Sequence, residues 1–289
     1  MGSLQQYIDI YRDNSDIIDE NSAPVLNAMR PAALAVVSAG SLPRRGDEGY
    51  EKTSVDEMMA SDYGLNFARV NIPVNVAASF HCGVPNMSTA LGVVVNDEFH
   101  PSKGLADKLP DGVIFTSLRE ASKSHPALVA GYYNRIAPRG NVPAALNTLL
   151  VQDGVFIYVP KGVVMEKPLQ LVNIFSSPAP LMAVRRLLIV VGEGASVQLI
   201  ACDHTQDNER EYLSSQVVEI ALERDARLDY YDLEESSEHT SRHSQIFASQ
   251  ETGSSLLVNG MTLSCGTTRN DYDINIAGDN CDTLLAGMA

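Results

Sequence analysis

At 289 residues, 45% hydrophobic and 20% charged, the chain has the composition of a soluble protein with a large core, not of a disordered one. Its net charge of −15 would repel a nucleic-acid backbone or an anionic membrane surface. Clean apolar runs such as Leu187 to Val191 fall far short of the roughly 20 residues of a membrane helix, and the acidic, periodic stretch from Met1 to Ile18 is unlike a signal peptide.

In chain order, the first part reads as helical. Leu4, Tyr7, Ile8 and Tyr11 fall at helical spacing behind Ser3, a candidate N-cap. Ala32 to Ala39 is a second helix closed by Gly40, and Pro43 to Gly49 a polar connector. Ser54 to Glu57 is a capping box that opens a third helix through Met58 and Met59. Strand grammar begins at Leu91 to Val95 and returns at Val113 to Thr116. A second capping box, Ser117 to Glu120, then starts a short helix. Pro143 suits a first helical turn, with Ala144 to Gln152 helical and Gly154 the stop. From Val155 the pattern is almost continuously β, with Glu234 to Arg242 read as a polar loop between two strands. The expected division is a mainly helical region over 1–89 and a β region over 90–289.

Within the β region a strand–turn–strand phrase repeats. It begins at Ile157, Ile189, Ile220, Phe247 and Ile274, starts that lie 32, 31, 27 and 27 residues apart. The turns fall at Lys161-Gly162, Glu193-Gly194, Arg224-Asp225, Thr252-Gly253 and Asp279-Asn280. Val197, Leu199, Leu228 and Tyr230 alternate with Gln198 and Asp229, which places one set inward and the other outward. A nearly fixed period with this grammar predicts a parallel β-solenoid whose starting residues stack in register. The alternative is a β-sandwich of hairpins. The chain stops at Ala289, just past its last strand, which leaves a solenoid end to be covered by missing sequence or by a second chain.

One stretch carries a family resemblance. Ala144 to Thr148, Asp153 to Val163 and Glu166 to Gln170 closely resemble the central signature of the SufB/SufD family, the scaffold subunits of the SUF iron–sulfur cluster assembly system. Leu187 to Val191 with Glu193 to Ala195 looks like the next coil. Asn21 to Pro24, Leu42-Pro43, Glu51 to Thr53 and Asp62 to Gly64 look like the SufD type. The resemblance implies a right-handed parallel β-helix flanked by helices and a non-catalytic scaffold role. It also implies a SufB-like partner and the ABC-type ATPase SufC. An iron–sulfur cluster, with a reduced flavin, would belong to the assembled complex, and no cofactor is expected in this chain alone. The family's later interface cysteine and histidine and its ATPase-gripping helices have no match here, so the chain reads as C-terminally truncated.

The residues themselves offer little local chemistry. Four separated cysteines, Cys82, Cys202, Cys265 and Cys281, are too sparse for a disulfide framework and fit reduced thiols in the cytoplasm. Cys202 and His204 form a close Cys/His pair, competent for iron or zinc but two ligands only. Cys82 sits in His81-Cys82-Gly83 with no identifiable partner, and Cys265 and Cys281 lie on or beside strands. Glu238, His239 and His243 have metal-like spacing inside a loop of solvated character. Asp229, Asp232, Glu234 and Glu235 invite comparison with the acidic clefts of β-helical polysaccharide lyases, or simply decorate an outer face. Gly192-Glu193-Gly194 lacks the third glycine and following helix of a dinucleotide site. There is no phosphate-cradling loop and no nucleophile elbow. Three readings follow: a cluster-assembly scaffold, a β-solenoid carbohydrate-active enzyme, and a structural oligomer, with homodimers through the open solenoid end.

Overall fold

The computed structural model describes residues 3–75 and 90–289. Its helices are α1 (Leu4–Glu20), α2 (Pro24–Asn27), α3 (Arg30–Ala39), α4 (Val55–Met58), α5 (Leu118–Ser124), α6 (Pro126–Tyr132) and α7 (Val142–Leu150). Its strands are β1 (Ala90–Val95), β2 (Glu98–Pro101), β3 (Ile114–Ser117), β4 (Val155–Val159), β5 (Leu169–Phe175), β6 (Leu181–Val191), β7 (Ser196–Thr205), β8 (Tyr212–Leu222), β9 (Arg227–Glu235), β10 (Thr240–Gln250), β11 (Ser255–Ser264), β12 (Thr268–Ile276) and β13 (Asp282–Met288).

The strands sort by parity into two sheets. One runs β12-β10-β8-β6-β4-β3 and the other β13-β11-β9-β7-β5-β1-β2. From β4 onward every strand pairs in parallel with the strand two places on in sequence, so the chain winds a β-solenoid of about four turns. A sandwich of hairpins would pair consecutive strands antiparallel, which happens here only at β1–β2 and β3–β4.

The corners explain the repeat. Gly162, Gly194, Asp225, Gly253 and Asn280 all adopt positive φ, between 57° and 76°, where glycine, asparagine and aspartate are tolerated. The last left-handed position is thus Asn280, not Asp279. Each corner amide donates to the next corner's carbonyl: Gly162 to Glu193 at 2.9 Å, Gly194 to Arg224 at 2.8 Å, Asp225 to Thr252 at 2.9 Å and Gly253 to Asp279 at 2.9 Å. The ladder therefore continues around the bend.

Register is as expected at all but one level. Ile157 lies over Ile189, Ile189 over Ile220, Ile220 over Ala248 and Ala248 over Ile274. Phe247 is one residue out of the inner column. It pairs with Glu219 and Asp273 and faces outward, packing with Val217, Ala137 and Ala144. A one-residue shift reverses every side chain's face, and the alternation Ile246-Phe247-Ala248 is apolar on both faces, so hydrophobicity alone cannot place it.

The lumen between the sheets is filled by Val155, Ile157, Leu187, Ile189, Val218, Ile220, Ile246, Leu199, Leu228 and Leu256, among others. At its N-terminal end Phe99 and Phe115 meet with ring centroids 5.4 Å apart and join the same cluster. A second core forms on the outer face of the β4–β6–β8 sheet, where Phe156, Leu188, Val190 and Leu213 meet residues of α1, α2, α3, α5, α6 and α7. Helices before β1 and helices between β3 and β4 thus share one core.

Two expected caps work differently. Ser54, Ser117 and Asn141 accept from the amides of Glu57, Glu120 and Ala144, as N-caps do. Ser3 precedes α1 without capping it and instead donates from its amide and hydroxyl to Asp56, at 2.9 and 2.6 Å. Gly40 ends α3 in extended, not left-handed, backbone. Its role is contact, since a Cβ there would stand 2.4 Å from Val142 Cγ2 on α7. No described helix is long and apolar enough to cross a membrane.

Candidate functional site

The most unusual chemistry lies inside the solenoid. The inner column that carries Ile189 and Leu187 on β6 continues to Arg185. The column with Leu199 and Ala201 on β7 continues to Asp203, and that with Tyr230 on β9 to Asp232 and Glu234. On β10 the matching residue is Arg242. One side of the lumen is therefore apolar, while the other holds five ionisable side chains, each no more than 5% exposed.

Burial of that kind is tolerated because the charges are paired and hydrogen-bonded. Asp203 Oδ1 accepts from Asn173 Nδ2 at 2.6 Å and Arg185 Nη1 at 3.1 Å. Arg185 Nε donates to the Asn96 carbonyl at 2.7 Å, and its guanidinium lies 4.1 Å from the Phe175 ring centroid. Arg242 contacts Asp232 closely, with Asp203 at 3.6 Å and Glu234 at 3.8 Å. Burial alone would lower the Arg242 pKa, but its neighbouring carboxylates, Asp232 first and Asp203 next, raise it well above the usual arginine value. Arg185, with fewer acids, is lowered by burial. Beside it a cavity of about 20 Å³, room for one water, is lined by Asn173, Gln216, Tyr230 and Arg185, whose Nη2 has no protein partner.

Arg186, the next residue on β6, points to the outer face. There it meets Glu219 at 2.5 Å, donates to Asn147 and Thr148, and lies 4.8 Å from the Tyr133 ring. Glu219 also accepts the amides of Asn134, Ile136 and Ala137. This fully buried pair fastens the helical layer to the sheet. Nearer the far end, Asp271 on β12 accepts from Tyr50 at 2.8 Å and Arg269 at 2.6 Å, and pairs with His243 at 3.1 Å. Arg269 also stacks 4.2 Å from the Tyr50 ring. Burial would raise the Asp271 carboxyl, but hydrogen bonds from His243, Arg269 and Tyr50 outweigh it and hold its pKa down to about 2.

The sequence candidates separate. Cys202 and His204 share the outer face of β7 and are buried, while Asp203 between them points inward. His204 Nδ1 is 3.8 Å from Glu235, and no third ligand joins the pair: among the described residues no group of three or more His, Cys, Asp or Glu could hold a metal ion. Cys202, Cys265 and Cys281 carry no disulfide. Cys265 lies between β11 and β12, and Cys281 precedes β13. Cys82 is outside the described residues.

The stretch from Glu234 to Arg242 is not a loop. Glu234 and Glu235 end β9, Thr240 to Arg242 open β10, and only 236–239 turn between them. Its polarity comes from internal ion pairing, which a composition reading takes for solvation. His239 is half exposed while His243 is buried against Asp271, and a strand separates them by roughly 13 Å, so the helical metal spacing does not exist. The four acids do not line one cleft either. Asp232 and Glu234 face Arg242 in the lumen, whereas Asp229 faces outward beside Arg227.

Exposed large hydrophobics gather on the last coils of the described solenoid. Val70 and Val164 apart, every exposed large hydrophobic among the described residues lies on β11, β12 or β13: Leu263, Tyr272, Ile276, Leu284, Leu285 and Met288. β12 and β13 each have a neighbour on one side only.

Comparison with known proteins matches residues 1–171 to the SufBD protein N-terminal region, and residues 174–289 to the SufBD core domain of SUF-system FeS cluster assembly. An iron–sulfur cluster assembly SufBD family protein of Synechocystis is 35% identical over 42% of this chain and 25% of its own length. A second from the same organism is 24% identical over 61% and 38%. One from Arabidopsis thaliana is 32% identical over 49% and 30%. The matched stretches thus span between a quarter and two fifths of these relatives.

Proposed function

The chain belongs to the SufBD family, and from that premise we propose that it is a non-catalytic scaffold subunit of SUF iron–sulfur cluster assembly, of the SufD type. It would act in the cytoplasm with a SufB-like subunit and a SufC-like ABC ATPase, the cluster being the cargo of the complex. The observation that carries this reading is the match of residues 1–171 and 174–289 to the two SufBD regions, on a chain that winds a parallel β-solenoid.

The rest of the architecture supports a holding role. The described charged residues that cluster are bonded to one another, as Arg186 is to Glu219 and Arg242 to Asp232, and none of these pairs opens onto a substrate-sized cleft. A rigid lumen and a helical layer pinned through Arg186 would hold bound subunits in a fixed orientation while a partner hydrolyses ATP. The full-length protein should co-purify with a SufB-like subunit and an ABC ATPase. Reproducible failure of the protein to associate would remove the scaffold reading. Cys202→Ser should lower sulfur or cluster loading of the complex if the buried thiol takes part.

A further inference from the structure

Three carboxylates and two guanidiniums share the closed lumen, and the count does not balance. Asp203 belongs to Arg185 by the 3.1 Å contact and Asp232 to Arg242 by the shortest contact in the cluster. Glu234 is the third acid. Its nearest arginine nitrogen is 3.8 Å away, beyond hydrogen-bond distance, and its side chain is 1% exposed. Its close partners are hydroxyls: Thr268 Oγ1 lies 2.7 and 2.8 Å from its two oxygens, and Thr262 Oγ1 3.3 Å from one. The other groups facing the cluster do not supply a cation. Tyr230 and Tyr272 are neutral phenols whose pKa values burial raises further. Asp97, beyond Arg185, is matched by Arg69 at 2.8 Å.

We propose that Glu234 is a neutral carboxylic acid at neutral pH, donating its proton to Thr268 and so closing the charge balance of the lumen. A hydroxyl accepts as readily as it donates, so the same contacts satisfy a protonated Glu234, with Thr268 turning its own hydrogen elsewhere. An ionised third carboxylate with no cation of its own would be costly in this setting, whereas a protonated one is not. Burial, the dominant influence on Glu234, raises its pKa against the pull of Arg242, in agreement with the geometry. The sign follows. A group whose folded pKa lies above its unfolded value stabilises the fold at low pH, and that contribution is lost as pH rises through the folded pKa. Thr262 is on β11 and Thr268 on β12, so the proton sits where the last coils join the rest.

Difference infrared spectroscopy of the intact protein tests this. At neutral pH a protonated-carboxyl C=O band is expected, shifted by ¹³C-glutamate and not by ¹³C-aspartate labelling, and lost in Glu234→Gln. That variant, isosteric and neutral, should melt no lower than the wild type, with its advantage growing as pH rises. The proposal is overturned if the glutamate band is missing from the wild type, if it survives in Glu234→Gln, or if Glu234→Gln is markedly destabilised or fails to fold. The last result would show that Arg242 depends on the Glu234 charge.

Discussion

At one end of the solenoid Phe99 and Phe115 lie across the lumen and β2 and β3 reverse direction, leaving no parallel edge. At the other, Tyr272 and Ile276 are exposed and β12 and β13 are paired on one side only. The two ends share one repeat and differ only in what covers them. The helical layer makes the same contrast laterally: it buries Leu188 and Val190 on the outer face of β6, whereas β12 is held from the N-terminal region through Tyr50 and Thr53, by Asp271 and Arg269. Stability of this stretch should therefore fall along the axis.

The sharpest way to break that gradient is at the seam. Glu219→Ala would leave Arg186 charged and buried and three amides without an acceptor, a loss of about 3–5 kcal/mol in chemical denaturation. Inside the lumen, Ile220→Ala, between Ile189 and Ala248, should cost about 2–5 kcal/mol, while Ile274→Ala at the open end should cost roughly 1 kcal/mol because that site is already half open. Equal losses at both positions would refute the gradient. Asp271→Asn should destabilise by on the order of 2 kcal/mol. In the wild type the same contribution, set by a folded pKa of about 2 against an ordinary 3.8, is present above pH 3.8 and disappears as pH falls towards 2. Acid titration of the melting temperature should show that step and lose it in Asp271→Asn. The smallest effect is kinetic: hydrogen exchange of β13 amides should outpace that of β8 by about a hundredfold or more, since strand ends without neighbours open locally.

Most of the architecture could be read from the residues because corners and alternation repeat. Gly194, Asp225 and Gly253 mark bends, and the Val197-Gln198-Leu199 pattern marks faces, independently of tertiary context. The interior charges were hidden for the opposite reason. Asp232, Glu234 and Arg242 look like solvent-facing residues until three strands bring them together, and nothing local records that Arg242 will meet Asp203 from the preceding coil. Parity offered the one available hint, since Asp232 and Glu234 share the face of Tyr230. Phe247 failed on the same ground, its neighbours being apolar on both sides. Cys202 and His204 share one face of β7, but a pair needs a third group from another strand to become a centre, and two neighbouring residues in a sequence do not record it.

The unequal coil lengths have a practical consequence. The bends at 192–195, 223–226 and 251–254 are of one length, whereas the opposite connections shorten from 206–211 to 236–239 to 265–267. Over these coils length is thus negotiable along one margin alone. A reporter peptide or flexible graft spliced beside Asn208, where the chain is exposed, would hang outside without disturbing a single rung. The same splice at Arg224 would unzip the stack from that level downward.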